Sequence, residues 1–191
     1  MDKYTVTKSI KKLFVTVSAV AVIGTAFIGG QSAFAAGTAI TGGELSMLNS
    51  VPSDFAPVKL DGTVQTTKAD LSDFTVTDAR GTGAGWNVMV SATQLEDTAA
   101  GLKIPTGSIK ISAPDVTAQA GASDVESTIT IGSGMIDTDT GVKLLSAKVD
   151  GGMGKYDVAF PTEALTMTLN PKDVKAGNYT STITVTLTTG P

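Results

Sequence analysis

Asp and Glu, eighteen in all, carry most of the acid–base chemistry open to this chain, because its 191 residues include no histidine and no cysteine. Without histidine the usual general base at neutral pH, the Ser-His-Asp and Cys-His constellations and the commonest zinc ligand all drop out. Two carboxylates at a suitable separation could still hydrolyse glycosides. With so many carboxylates some pair lies close by chance, so no catalytic residue is singled out and the expectation is a protein that is not an enzyme. Asp137 and Asp139, followed by Gly141, are spaced like the opening of a calcium loop. The glutamate that would close such a loop is missing, with Leu145 and Ser146 near its place, so a polar hairpin turn is the expectation, with no metal and no cofactor.

Two further residues could take part in binding. Arg80 follows Asp78 by two and opens a run with glycines at 81, 83 and 85, where an ion pair would fix a glycine turn. Trp86, the one tryptophan, comes directly after that run. Its ring has two readings, a buried core or corner residue and a surface contact with a sugar face.

These residues need strands to hold them. Residues 74–79, 86–93, 108–113, 127–133, 142–149, 156–160, 164–170 and 180–188 alternate apolar and polar or favour β-branched side chains, the pattern of half-buried strands. One or two earlier strands start near Leu45 and Thr63. Turn signals separate them at Asp61-Gly62, Ala100-Gly101, residues 132–134, residues 150–154 and Ala176-Gly177, a spacing that suits a sandwich or barrel and leaves no room for βαβ units. Helical signal is confined to a possible turn in 91–98 and a corner at 170–174, and the small polar run 117–124 reads as an exposed loop. The expected fold is an all-β sandwich of the immunoglobulin-like, Greek-key type. Trp86, Val88 and Val90 should share one face, and Ile183, Val185 and Leu187 another.

The N-terminus reads as an export signal. Lys3, Lys8, Lys11 and Lys12 form a basic head, residues 13–30 are uncharged and apolar, and Ala33-Phe34-Ala35 presents small residues where a signal peptidase cuts. Cleavage after Ala35 would leave a flexible start, residues 36–44, and one domain, residues 45–191. Removing 1–35 takes four of the 14 basic and one of the 18 acidic side chains, so 156 residues remain with 10 positive against 17 negative charges, a net near −7. An acidic surface argues against nucleic acid, whose phosphates demand basic contacts. Once the signal is removed no membrane contact is expected. Ala36 supplies no cysteine for lipidation and residues 179–191 hold no sorting motif, so attachment to a cell would be noncovalent.

Taken together, residues 78–86 and 179–191 resemble the WxL surface domain of Gram-positive bacteria. Its proximal motif D-x-R-G-x-G-x-G-W is matched by Asp78, Arg80, Gly81, Gly83, Gly85 and Trp86. Its distal motif Y-x-x-x-[LI]-T-W-T-L-x-x-x-P is matched by Tyr179, Ile183, Thr184, Thr186, Leu187 and Pro191. Residues 45–55 are similar to the opening strand of the family. Val88 replaces the leucine of the first motif and Val185 the tryptophan of the second, so neither Trp-x-Leu tripeptide is complete. The resemblance implies a secreted protein held at the cell wall by peptidoglycan or another wall polymer, with Asp78, Arg80, Trp86, Val88, Tyr179, Val185 and Leu187 as its motif and wall-binding residues. Tyr179, opening the last strand after Ala-Gly-Asn, is also placed to tie a corner through its hydroxyl. The other reading is a structural or adhesive subunit that pairs strands with a companion surface protein or with itself.

Overall fold

Strand alternation, traced along the chain, gives the architecture of the computed structural model, which describes residues 38–48 and 50–191. The signal segment and its cleavage point lie outside the described residues. In chain order the first strands are β1 (Leu45–Met47), β2 (Gln65–Ala69), β3 (Phe74–Asp78) and β4 (Trp86–Ala92). There follow the short β5 (Glu96–Asp97) and β6 (Leu102–Lys103), then β7 (Ile109–Ile111), β8 (Asp115–Ala118) and a four-residue helix α1 (Val125–Thr128). The chain continues through β9 (Ile129–Ile131), β10 (Gly134–Met135), β11 (Val142–Ala147), β12 (Gly154–Ala159), β13 (Leu165–Leu169) and β14 (Ile183–Thr189). The fold is all-β and of sandwich type, as the alternation predicts.

The strands form three antiparallel four-stranded sheets, in the orders β1-β3-β12-β8, β10-β7-β13-β2 and β14-β4-β11-β9, and β5 pairs with β6 as a hairpin. The longer strands contribute alternate side chains to one continuous apolar interior: Phe74 and Val76 from β3, Tyr156 and Val158 from β12, Leu165, Met167 and Leu169 from β13. The first and third sheets meet through the rings of Trp86 and Tyr156, whose centroids are 5.9 Å apart at 57°. A bulge in β11, between Lys143 and Leu145, breaks the alternation so that Leu144 and Leu145 are both fully buried. β1 also comes up beside β14, bringing the edges of the first and third sheets to the same corner.

Three local expectations change. The run 117–124 is not wholly a loop, because Thr117 and Ala118 belong to β8 and pair with Asp157 and Tyr156. Small, half-buried side chains on a sheet edge leave little apolar signature. The expected strand 127–133 begins instead with α1, whose N-cap Asp124 accepts a hydrogen bond from the Ser127 amide at 2.9 Å. Residues 91–98 form no helical turn, since they run out of β4 into β5. Within the start expected to be flexible, Gly43 donates to the Ala79 carbonyl at 2.7 Å and Glu44 accepts from the Ala79 amide at 3.0 Å, so pairing with the first sheet begins two residues before β1.

Candidate functional site

The alternation that turns Phe74 and Val76 inward also carries Asp78 into the interior, where it is 2% exposed. A carboxylate there is costly without a partner. Arg80 supplies it: Nε donates to Oδ1 at 2.9 Å and Nη2 to Oδ2 at 2.8 Å, a two-pronged ion pair. The same Nη2 donates to the Gly85 carbonyl at 2.8 Å, and the Arg80 amide donates to Asp78 Oδ1 at 3.1 Å. The Arg80 guanidinium thereby holds the Asp78 carboxyl below the usual carboxylate range, against the opposing effect of burial. One arginine closes both ends of the glycine turn, and the ion-pair reading of Arg80 is what its geometry displays.

Gly81, Gly83 and Gly85 have φ of 66°, 63° and 72°, a region that side chains with a Cβ resist. At Gly85 there is no space either, because a Cβ would stand 2.5 Å from the Ala147 carbonyl oxygen. This close approach feeds the chain directly into β4 beside β11.

Trp86 then enters the interior with no exposed surface, and its Nε1 donates to the Gly152 carbonyl at 2.8 Å. Its ring is enclosed, which is the core reading of this residue. Val88 and Val90 follow on the same face, also fully buried. Their partner is the distal motif strand: β14 pairs with β4 in the register Thr189↔Trp86, Leu187↔Val88 and Val185↔Val90. The two halves of the motif, far apart in sequence, are therefore neighbouring strands of one sheet. Val185 and Leu187 are half-buried against the core, and Thr184, Thr186 and Thr188 between them are exposed.

Tyr179 stands apart from this group. It precedes the far end of β14, where Ile183 faces Ala92, and its hydroxyl donates to the Lys175 carbonyl at 3.0 Å. The corner role inferred from the sequence is the contact it makes. Asp97 holds the same corner from the other side, accepting from the Asn178 amide at 2.8 Å and the Ala100 amide at 3.0 Å, bonds that lower its pKa.

Asp137 does not build a calcium site. Its carboxylate is 2% exposed and accepts from the amides of Ser108 at 2.8 Å and Ile109 at 3.0 Å, while Asp139 is exposed. Both oxygens are committed to the backbone where the chain enters β7, so this acid is a structural brace. Among the described residues no group of three acids assembles as a cation site.

Several participants escaped the sequence reading. Gly152 appears there only within a turn, yet it receives the Trp86 indole. Asn87, between two buried motif residues, is itself 8% exposed; its Nδ2 donates to the Gly190 carbonyl at 2.5 Å and its Oδ1 has no partner. Residues 52–60 carry no periodic signal, but they form one wall of a cleft of about 1010 Å³ whose other wall is the corner around Tyr179. Phe55, the lone aromatic in that stretch, is what hints at it.

The buried motif residues thus brace an all-β module that, among its described residues, opens a cleft of about 1010 Å³. Its sequence matches, over residues 37–191, the family described as WxL domain, surface cell wall-binding, and the protein belongs to that family. No curated protein and no solved structure matches the chain.

Proposed function

We propose that this is an exported, noncatalytic domain that attaches noncovalently to peptidoglycan in the wall of a Gram-positive cell. The observation that carries this reading is that the match to a cell wall-binding family runs through the whole described domain, including every strand. In this reading Asp78, Arg80, Trp86 and Val88 act by building the sheet that displays the binding surface, since their side chains are buried or nearly so. Val185, Leu187 and Tyr179 are half-exposed and stand closer to the contact. The test is cosedimentation of the purified protein with purified sacculi. Retention in the pellet, lost when the sacculi are replaced by cellulose, supports it; protein that stays in the supernatant removes it.

A second reading rests on β14. It ends its sheet, and its sequence, ITVTLTT, bears no charge or proline along seven residues. Edge strands of this kind accept a further strand readily. A companion surface protein or a second copy could pair there beyond the stretch that β1 approaches. An oligomer whose population rises with protein concentration, and which Val185→Pro abolishes with the fold intact, would favour this reading over the first, since the Val185 amide is one that points away from β4.

A further inference from the structure

The cleft of about 1010 Å³ lies at the end of the molecule opposite the glycine turn, between residues 52–60 and the corner that runs from Val174 to Ile183. Its size is at the upper end of the range for small-molecule sites, about 300–1,000 Å³. Its lining is divided. Leu95, Met167 and Ile183 give an apolar floor, Phe55 and Tyr179 contribute half-buried rings from the two walls, and Asp54 and Asn178 stand exposed at the rim.

The walls are unequal in how they are held. On one side Tyr179 is anchored through its hydroxyl to the Lys175 carbonyl, and Asn178 through its backbone N–H to the Asp97 carboxylate, so the ring and the backbone that carries the Asn178 side chain have fixed positions. On the other side, residues 54–60 form no strand and are tied to β2 by side chains, Thr67 Oγ1 donating to the Ala56 carbonyl at 2.7 Å and Gln65 Nε2 to the Lys59 carbonyl at 2.8 Å. One wall is preorganised for a ligand, and the other is tethered at only a few points.

We propose that this cleft takes the N-acetylated sugar strand of the wall. Pyranose rings and acetamido methyl groups present apolar faces that match the floor and the two aromatic walls. Equatorial hydroxyls and amides at the edges of such a strand match the carboxylate of Asp54 and the amide of Asn178. Asp54 on the rim is offset by Lys59 and Lys175, so the opening is not dominated by one sign of charge, as an amide-rich glycan requires. The assignment rests on the wall-binding reading and adds which part of the polymer is held and where.

The experiment compares wild type, Phe55→Ala, Phe55→Tyr and Asn178→Ala for pelleting with sacculi, each checked for folding by its thermal unfolding profile. It adds competition by peptide-free glycan strands released with an amidase and, separately, by free stem peptide. The expected result is at least a tenfold loss of wall affinity for Phe55→Ala and a several-fold loss for Asn178→Ala, recovery in Phe55→Tyr, and displacement by the glycan strands alone. Asn178 carries the argument should Phe55→Ala not fold, because its side chain is exposed. If wild type pellets and the folded variants pellet equally well, the cleft is not the site and the wall-binding reading stands without it. Displacement by stem peptide and not by glycan overturns the sugar assignment. Failure of the wild type to pellet overturns both readings together.

Discussion

The indole nitrogen of Trp86 donates to the carbonyl of Gly152 across 66 residues of sequence, at 2.8 Å and entirely within the interior. This bond ties the first residue of β4 to the turn that enters β12, while the Trp86 ring packs against Tyr156, whose own hydroxyl shares its one proton between the carbonyls of Ser123 and Met153. Trp86→Ala removes the ring and leaves the Gly152 carbonyl unpaired, so it should cost about 3–5 kcal/mol of stability. Trp86→Phe keeps much of the packing and loses the hydrogen bond, and should cost about 1–3 kcal/mol. Urea unfolding of the two variants measures both; equal, small losses would place the ring outside the core.

Acid stability should depend on Asp78. Its folded pKa is lowered chiefly by the hydrogen bonds from Arg80, so the sign is that of a depressed carboxylate. The stabilisation is fully present above the unfolded carboxyl value of about 4 and is lost as pH falls from there through the lowered folded pKa. The wild-type thermal midpoint should therefore drop as pH falls below about 4. Asp78→Asn should start lower at pH 7 and fall less steeply across that window. Some slope should persist, because the backbone amides that Asp97 accepts and the Gln119 side chain beside Asp157 lower those two pKa values as well. Parallel profiles for wild type and Asp78→Asn would assign the acid limb elsewhere.

The glycines of the motif turn should not be equivalent. Gly81 and Gly85 both have positive φ, but a Cβ at Gly81 meets nothing within 4 Å, whereas one at Gly85 would stand 2.5 Å from the Ala147 carbonyl oxygen and 3.0 Å from that of Lys148. Gly81→Ala should cost only the left-handed backbone penalty, about 1–2 kcal/mol. Gly85→Ala must also separate β4 from the end of β11, and should leave little folded protein at 37 °C. Circular dichroism melts of the two decide between this ranking and a uniform backbone effect.

Much of this was legible along the chain. Trp86, Val88 and Val90 keep a strict period of two, and so do Ile183, Val185 and Leu187, because a strand with one face buried must alternate. Asp78 and Arg80 are two residues apart and could be paired without knowing the fold. Tyr179 lies within reach of a carbonyl four residues earlier. What the chain does not display is its long-range partnership. The pairing of Leu187 with Val88 is fixed by the packing of whole sheets, and nothing local to either strand names the other. Gly152 and Asn87 earn their roles only through contacts with Trp86 and Gly190. Residues 52–60 shape a wall of the cleft without periodicity, since a segment that forms no strand has no reason to alternate.

The two positions where this chain departs from the family motif should behave differently when the motif residues are restored. Val88 has no exposed surface and lies between Leu187 and Leu145 on the neighbouring strands. An added methylene there has nowhere to go, so Val88→Leu should cost about 1–3 kcal/mol through overpacking. Val185 sits on the edge strand β14, half-buried opposite Val90, where a larger ring can spread over the rim of the sheet. Val185→Trp should thus shift the thermal midpoint less than Val88→Leu does. If that strand position contributes to wall contact, the new indole should also raise the fraction of protein that pellets with sacculi. An unchanged fraction, with the fold intact, would remove Val185 from the contact and leave its role in the packing of β14 against β4.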